Sequence, residues 1–162
     1  MAVKNDNMDN MKKYICSLFA AAFVLLLSGC SKDDTPVVDE GVIGEWHLTS
    51  WTGIAPAEDF DVYIEFRADG GFDLYQKVET SVFVKYSGRF TAENGSISGS
   101  YSDGEPWGTG YAYEVSADGK TLTMTAGSDE VSVYSKTDIP EEVRAASDAL
   151  TKASSYGAER FL

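Results

Sequence analysis

The amino-acid sequence predicts an all-β domain of eight antiparallel strands that is followed by one α-helix. Short runs of alternating apolar and polar residues fill the stretch from Gly44 to about Lys136, and glycine-containing turns separate them. After Lys136 the apolar residues recur at steps of three and four, which is the spacing of one helix face. Connections this short permit only local antiparallel pairing, so the strands form either an up-and-down barrel or a sandwich, and spacing alone does not choose between them.

The first 29 residues have the order of a secretory signal peptide. A pair of lysines precedes 14 apolar-biased residues, 14–27, which are too few to span a bilayer, for which about 20 are needed. Small residues then lead to Cys30 in the tetrapeptide Leu-Ser-Gly-Cys. This tetrapeptide resembles the lipobox of bacterial lipoproteins, in which the cysteine is lipidated and the peptide before it is removed. We therefore expect a mature chain that begins at a lipidated Cys30, translated from Met1 or, more compactly, from Met11.

A flexible tether is expected between Cys30 and the folded domain. Residues 30–42 contain a proline and lack an apolar period, as linkers do. Ser-Lys-Asp-Asp at 31–34 resembles the acidic export signal of surface lipoproteins of the Bacteroidota, which implies the outer face of the outer membrane. A generic solvated linker and a periplasmic location are the alternative. The expected boundaries are a signal peptide at 1–29, the tether at 30–42 and the folded domain at 43–162.

Charge and cysteine content exclude several functions. From Cys30 onward the chain carries 10 Lys and Arg against 24 Asp and Glu, a net charge of −14 with His47 neutral. Such a surface repels phosphate backbones and anionic head groups, so we expect no nucleic-acid partner, and membrane attachment depends on the lipid. Cys16 leaves with the signal peptide and Cys30 is lipidated, so no disulfide or thiol chemistry remains.

The strands follow one another with hairpin-sized connections. The clearest one has apolar residues at 60, 62, 64 and 66, the period of a strand with one buried face. Asp69-Gly70-Gly71 then supplies a turn, because glycine adopts positive φ without a Cβ clash. The predicted strands are 45–52, 60–66, 72–78, 82–90, 96–101, 109–115, 121–126 and 130–135.

Gly44-Glu45-Trp46 opens the first strand and resembles the Gly-x-Trp signature of lipocalins and the wider calycin group. The stretch 42–136 is also similar to the lipocalin-like domains of Bacteroidota lipoproteins. This resemblance implies an eight-stranded antiparallel up-and-down barrel whose open end holds a ligand. It also implies that Trp46 plugs the closed end beneath a basic residue of the last strand. That residue is Lys136 here, in place of the more usual arginine, and a solvated Lys136 is the alternative.

The segment after the strands predicts a helix from about 139 to 156. Pro140 suits its first turn, and Asp138 is a candidate cap. We expect the helix to pack across the outside of the sheet with one apolar stripe, which consists of Ile139, Val143, Ala146, Leu150 and Ala153. The last residues, 160–162, either add a short strand or dock beside the helix.

The chain offers no evident catalytic or metal site. His47 is the only histidine, and strand parity places it on the face opposite Trp46. A lone imidazole without a second histidine or thiolate does not hold zinc, and no serine–acid arrangement or glycine-rich phosphate loop accompanies it. We therefore predict that the protein is not an enzyme and that it uses no catalytic residue, cofactor or metal.

Aromatic residues supply the positive signal. Tyr86, Tyr101, Tyr111 and Tyr113 lie on inward positions of the fourth to sixth predicted strands. These phenols either line a pocket or fill a small barrel by themselves, since each buried hydroxyl needs a partner. Trp107, in the loop between the fifth and sixth strands, is either a lid or partner contact near the mouth, or a side chain folded back onto the sheet.

Gly88 and Gly99 lie among these aromatics, and their missing side chains either admit a ligand or relieve strain in a coiled sheet. Two functional hypotheses follow. In the first, the barrel binds a small hydrophobic, amphipathic or sugar-like ligand. In the second, the domain is a non-catalytic protein-interaction module, such as an inhibitor or an accessory subunit of a surface complex.

Overall fold

Eight antiparallel strands close into a barrel in the computed structural model, which describes residues 36–78, 80–127, 129–151 and 160–162. Each strand pairs with the next one, and the last strand returns to the first. The predicted up-and-down barrel is therefore confirmed, and the sandwich is excluded. The strands are β1 (Gly44–Trp51), β2 (Asp61–Phe66), β3 (Gly71–Lys77), β4 (Val84–Glu93), β5 (Ser96–Tyr101), β6 (Tyr111–Val115), β7 (Thr121–Ala126) and β8 (Val131–Lys136).

The hairpin of β2 and β3 shows how the sequence pattern builds the core. Ile64 lies opposite Leu74 in the register of these strands, and both side chains are fully buried in the barrel interior. The turn between the strands contains Gly70 at φ +75°, a conformation that L side chains rarely adopt. Asp69 closes the turn, because its carboxylate accepts a 2.8 Å hydrogen bond from the backbone N–H of Gly71.

The seam between β5 and β6 differs from the other strand pairs. Its two cross-strand pairs join Ser96 to Ala112 and Ile97 to Tyr111, at one end of β5. Along the rest of β5 the β5–β6 loop itself forms the wall, since the N–H of Trp107 donates to the carbonyl of Gly99 at 2.9 Å. The sixth strand therefore begins at residue 111, two residues later than the sequence pattern predicts.

The second half of the expected tether is part of the folded domain. Val38 forms a parallel bridge with Ala92, and the N–H of Asp39 donates to the Ala92 carbonyl at 2.9 Å. A 3₁₀ turn, Glu40–Val42, follows, and it buries Val42 completely. A free tether up to residue 42 was the wrong expectation for residues 37–42, because burying Val42 and pairing the backbone with β4 hold this segment on the barrel.

The C-terminal helix, α1 (Glu141–Thr151), packs on the outside of the barrel as predicted. Ile139 and Val143 are buried there against Tyr63 and Tyr75, which point outward from β2 and β3. Arg144 links the helix to the sheet. Its guanidinium forms a 2.8 Å ion pair with Glu45 and donates hydrogen bonds to the Glu65 carboxylate at 3.3 Å and to the Tyr75 hydroxyl at 3.0 Å.

Some predictions lie outside the described residues. The signal peptide, Cys30 and residues 31–34 belong to this part of the chain, as do residues 152–156 of the predicted helix. In the part that the structure describes, no helix has the length and apolar character needed to cross a membrane.

Candidate functional site

One end of the barrel is closed by Trp46 and Lys136. The Trp46 ring is fully buried, and the Lys136 ammonium lies 5.1 Å from its centroid while donating to the Ile43 carbonyl at 3.0 Å. Gly44 makes room for this cap, because a Cβ there would stand 2.7 Å from the Lys136 side chain. The indole N–H of Trp46 donates to the buried carbonyl of Val42 at 2.8 Å. A ligand site therefore has to be sought at the opposite end, which we call the mouth.

His47 lies on the outer surface, away from Trp46, as strand parity predicts. Its ring stacks on Tyr63 at 4.2 Å, and its Nε2 lies 2.7 Å from a carboxylate oxygen of Asp61. Across the described ranges, no group of three or more histidine, cysteine or acidic side chains is arranged to hold a metal ion. The contacts of His47 are therefore with Tyr63 and Asp61, and not with further metal-ligating side chains.

The mouth is the end where β1, β3, β5 and β7 finish, and it gathers four of the five predicted ligand residues. Tyr86 and Tyr101 meet edge to face at 5.9 Å, and Trp107 meets Tyr111 at 6.2 Å. Phe72 joins the two pairs, because its ring lies 5.8 Å from Tyr101 and 5.2 Å from Trp107. These rings form one continuous aromatic lining.

Tyr113, the fifth predicted ligand residue, lies apart from this lining. Its hydroxyl donates to the Asp39 carboxylate at 2.8 Å, beside the 3₁₀ turn at the closed end. Burial and the neighbouring Asp39 carboxylate raise the pKa of Tyr113 to about 12. Tyr111 and Tyr113 share a face of β6 but differ in depth along the barrel, so only Tyr111 reaches the mouth.

Trp107 folds back into the barrel wall instead of forming an exposed lid. Its side chain is only 4% exposed and packs against Phe66 and Phe72. The space over Gly99 accommodates the indole, since a Cβ on that glycine would lie 2.6 Å from the ring. At Gly88 a Cβ would stand 2.1 Å from the carbonyl oxygen of Ser100, so this glycine permits close strand approach. Neither glycine leaves open space for a ligand.

Two buried polar atoms of the interior have no hydrogen-bond partner among the described residues, namely the hydroxyl of Tyr134 and the indole nitrogen of Trp107. Burial raises the pKa of the Tyr134 phenol far above its ordinary value, and the neighbouring Ser132 offsets only part of this rise. Tyr101 and Tyr111 are the neighbouring phenols. Sequence reasoning did not select Tyr134, although its parity with Lys136 on β8 points it inward.

The chain's last three residues occupy the mouth. The N–H of Phe161 donates to the Gln76 side-chain oxygen at 2.9 Å, and the carbonyl of Leu162 accepts a 2.7 Å hydrogen bond from the Tyr101 hydroxyl. Arg160 lies over the Tyr101 ring and forms an ion pair with Asp103. Both sequence-based expectations for this segment, an added strand and docking beside the helix, were therefore wrong.

Exposed apolar side chains form a rim at the mouth, at the end of β1 and on the loops that follow β1 and β3. Ile54 is 74% exposed, Val82 is 42% exposed and Trp51 is 39% exposed. Trp51 stacks on Phe60 at 5.3 Å, and both rings contact Phe161.

The model of the lipocalin-like domain family matches residues 42–124. The chain belongs to this family. Similar solved structures include a lipocalin-like protein from Bacteroides uniformis ATCC 8492, which is 17% identical with a TM-score of 0.48 and covers 60% of this chain and 99% of its own. A lipoprotein, YedD, from Klebsiella pneumoniae subsp. pneumoniae MGH 78578 is 13% identical with the same TM-score of 0.48. Its match covers 75% of this chain and 94% of its own. None of the curated proteins matches significantly. A lipocalin-like domain is generally a non-catalytic ligand-binding fold, in agreement with the closed barrel and its aromatic mouth.

Proposed function

We propose that this lipocalin-like protein binds a small amphipathic or sugar-like ligand at the barrel mouth without transforming it. The observation that carries the proposal is the pair of unpartnered polar atoms on Tyr134 and Trp107, which lie inside a core that is apolar apart from a few side chains such as Gln76 and Ser132. A buried donor without a partner costs about 1–3 kcal/mol, and a ligand hydroxyl or carbonyl that reaches these atoms recovers that free energy.

The lining determines what kind of ligand suits the site. Burial raises the pKa values of Tyr86, Tyr101 and Tyr111, so these phenols stay neutral and present hydroxyl groups beside flat apolar rings. Aromatic rings bind apolar or sugar faces, and the hydroxyls select a polar group at one end. Trp107 forms the inner wall of this site in the proposal, rather than a lid.

Tryptophan fluorescence tests the ligand proposal directly. Trp51 and Trp107 lie at the mouth, whereas Trp46 lies at the closed end and serves as an internal reference. We expect lipids, haem or oligosaccharides to change the emission of the two mouth tryptophans. Trp46 emission in a W51F/W107F double variant should stay constant with lipids and oligosaccharides, whereas haem quenches it as well by energy transfer. Silence across all three ligand classes contradicts the proposal.

A tyrosine pair gives the matched variants for this titration. Tyr134→Phe removes the unpartnered interior hydroxyl, and we expect it to weaken ligand binding by about tenfold, the equivalent of one hydrogen bond. Tyr63→Phe removes a hydroxyl from the outer face and serves as the control, with unchanged affinity expected. Equal affinities for both variants would show that the interior hydroxyl does not contact the ligand.

The location belongs to the same proposal. Cys30 carries the lipid that anchors the protein in the outer membrane, and Ser-Lys-Asp-Asp at 31–34 directs it to the cell surface. This rests on the sequence alone. We expect Cys30→Ser to move the protein from the membrane fraction to the soluble fraction. Protease added to intact cells should digest the wild-type protein, and complete protection argues for the periplasmic face.

A protein-interaction module is the second candidate, and the exposed rim of the mouth favours it. This rim, which consists of Ile54, Val82 and Trp51, is an apolar surface on an otherwise acidic domain. An inhibitor or accessory subunit would bury these side chains against its partner. Crosslinking in cell envelopes tests this candidate, because Ile54→Asp should abolish a stoichiometric crosslinked product while leaving ligand titrations unchanged.

A further inference from the structure

We infer that the mouth is a peptide-binding site for a cationic residue followed by an aromatic and an aliphatic residue, and that Arg160-Phe161-Leu162 is its tethered occupant. The inference rests on the proposed function, because it names a ligand class for the same mouth. Three neighbouring subsites and two main-chain contacts carry it.

The cation subsite consists of two phenol rings and one carboxylate. The Arg160 guanidinium carbon lies 4.3 Å from the Tyr101 ring centroid and 5.2 Å from that of Tyr86. One guanidinium nitrogen lies 3.3 Å from a carboxylate oxygen of Asp103, and a second nitrogen makes a closer ion pair with the same carboxylate. The hydrogen bond from Arg160 lowers the pKa of Asp103, so the carboxylate stays ionised when a cation is present. Aromatic faces and a carboxylate together select a guanidinium or ammonium group.

The aromatic subsite is formed by Trp51 and Phe60. The Phe161 ring meets Trp51 at 5.9 Å and Phe60 at 5.6 Å, in both cases edge to face. Trp51 and Phe60 are themselves stacked, so they present two ring surfaces at a fixed angle to an incoming ring. Edge-to-face pairs are worth about 0.5–1.5 kcal/mol beyond the area they bury, which favours an aromatic side chain here.

The aliphatic subsite lies deepest. Leu162 is 6% exposed and belongs to the same buried cluster as Phe72, Tyr101 and Trp107. Leu162 is the only buried residue of the three, since Arg160 is half-buried and Phe161 is half-buried while packing against the edge of the same cluster.

The main-chain contacts distinguish a peptide from other amphipathic molecules. Gln76 is buried, and its side-chain oxygen accepts the Phe161 N–H, while the Tyr101 hydroxyl donates to the Leu162 carbonyl. A polar glutamine on the buried face of β3 satisfies a main-chain donor of the ligand, and a tyrosine on β5 satisfies a main-chain acceptor. Recognition of one N–H and one C=O beside pockets for the side chains is the chemistry of peptide binding.

The connection between α1 and the tripeptide determines how a free peptide competes for the mouth. Eight residues, 152–159, separate α1 from the tripeptide, and a short linker holds its end at an effective concentration on the order of millimolar. The tripeptide occupies the mouth only if its own dissociation constant is below this concentration. A free peptide of the same chemistry therefore binds weakly to the intact chain and more tightly once the tethered copy is disabled.

The experiment uses the peptide Glu-Arg-Phe-Leu, N-terminally labelled with a fluorophore, C-terminally amidated and followed by fluorescence anisotropy. Its receptor is the full chain carrying Arg160→Glu, which alters the occupant and leaves the mouth intact, and a chain ending at Glu159 is the second variant. We expect both variants to bind the peptide with a dissociation constant below about 1 mM, and the wild-type chain to bind at least tenfold more weakly. Arg89→Glu makes the same charge change at an exposed site on β4 and should behave as wild type.

Peptide variants test the selectivity. Replacing the arginine of the peptide by glutamate should abolish binding to the Arg160→Glu chain, and Asp103→Asn in that chain should weaken binding of the original peptide at least threefold. No binding of the labelled peptide by folded variants at chain concentrations up to about 1 mM overturns the inference, and equal binding of the glutamate peptide overturns the cation subsite. If those same variants still bind a lipid, haem or an oligosaccharide, the proposed function stands while the peptide inference fails.

Discussion

The indole of Trp107 lies directly over Gly99, where a Cβ would stand 2.6 Å from the ring and 2.8 Å from the carbonyl oxygen of Arg89. The backbone of the loop is fixed at the same place, because the Trp107 N–H donates to the Gly99 carbonyl at 2.9 Å. A glycine on β5 and a tryptophan eight residues later therefore fill one gap in the barrel wall together.

Gly99→Ala should destabilise the barrel by about 1–3 kcal/mol, because the added methyl group overpacks a filled site. Trp107→Phe loses packing of its own but gives the added methyl group more room. Gly99→Ala should therefore destabilise the Trp107→Phe variant less than it destabilises the wild type. Urea unfolding of the four proteins of this double-mutant cycle measures the coupling. Additive effects would show that the two residues are energetically independent, contrary to their contact.

Two interior tyrosines should respond oppositely to loss of the hydroxyl. Tyr101→Phe removes the donor to the buried Leu162 carbonyl and should cost about 0.5–1.5 kcal/mol. Tyr134→Phe removes a buried hydroxyl that has no partner among the described residues and should be neutral or stabilising, by up to about 1–3 kcal/mol. Thermal and urea unfolding check both. A destabilised Tyr134→Phe would reveal a hydrogen bond to this hydroxyl.

The cap at the closed end should tolerate a change of cation but not its loss. Lys136→Ala removes the ammonium above Trp46 and should cost about 0.5–1 kcal/mol, whereas Lys136→Arg should keep nearly full stability. Trp46→Phe should cost about 1–3 kcal/mol, because it also leaves the buried Val42 carbonyl without its donor. The free energy of unfolding of the three variants is the measurement, and a cost of Lys136→Arg as large as that of Lys136→Ala would count against the cation–π contact.

Asp73 should make stability depend on pH in the acid range. Burial alone would raise the pKa of its carboxyl. Hydrogen bonds from Ser87 and Lys85 and the nearby charge of Arg67 lower the pKa by more than burial raises it, so the net shift is downward. A lowered folded pKa means that the stabilisation is complete above the unfolded value of about 4 and is lost as pH falls through the lower folded value. Asp73→Asn should therefore reduce stability at pH 7 and flatten its decline below pH 4, and the exposed Asp59→Asn should change neither. Unfolding curves from pH 7 to pH 2 give both quantities, and parallel declines for wild type and Asp73→Asn would contradict the assignment.

Much of the fold was predictable because it is encoded locally. Residues 96–101 and 121–126 were predicted with the bounds that β5 and β7 have, since their alternation runs uninterrupted between turn residues. The helix was equally predictable, because the spacing of the apolar residues changes from two to three or four after Lys136. The family resemblance then chose the barrel over the sandwich, which spacing alone did not do.

The site was less predictable, because parity gives the face of a strand and not its depth. Tyr111 and Tyr113 have the same parity, yet one lines the mouth and the other bonds Asp39 at the closed end. The positions of Trp107 and of Phe161 depend on contacts with residues of other strands, such as Gln76, which lies 85 positions before Phe161. No local pattern carries that information.

The pairing of β1 with β8 has a consequence for how the chain folds. Trp46 and Lys136 are partners in this ladder, so the barrel closes only after the last strand is available. Closure of so long a loop precedes the contacts that reward it, and such topologies fold slowly. A nascent chain without β8 exposes the unpaired edges of β1 and β7, which are templates for association with other chains. Pairing of the last strand therefore ends this exposure as well as completing the core.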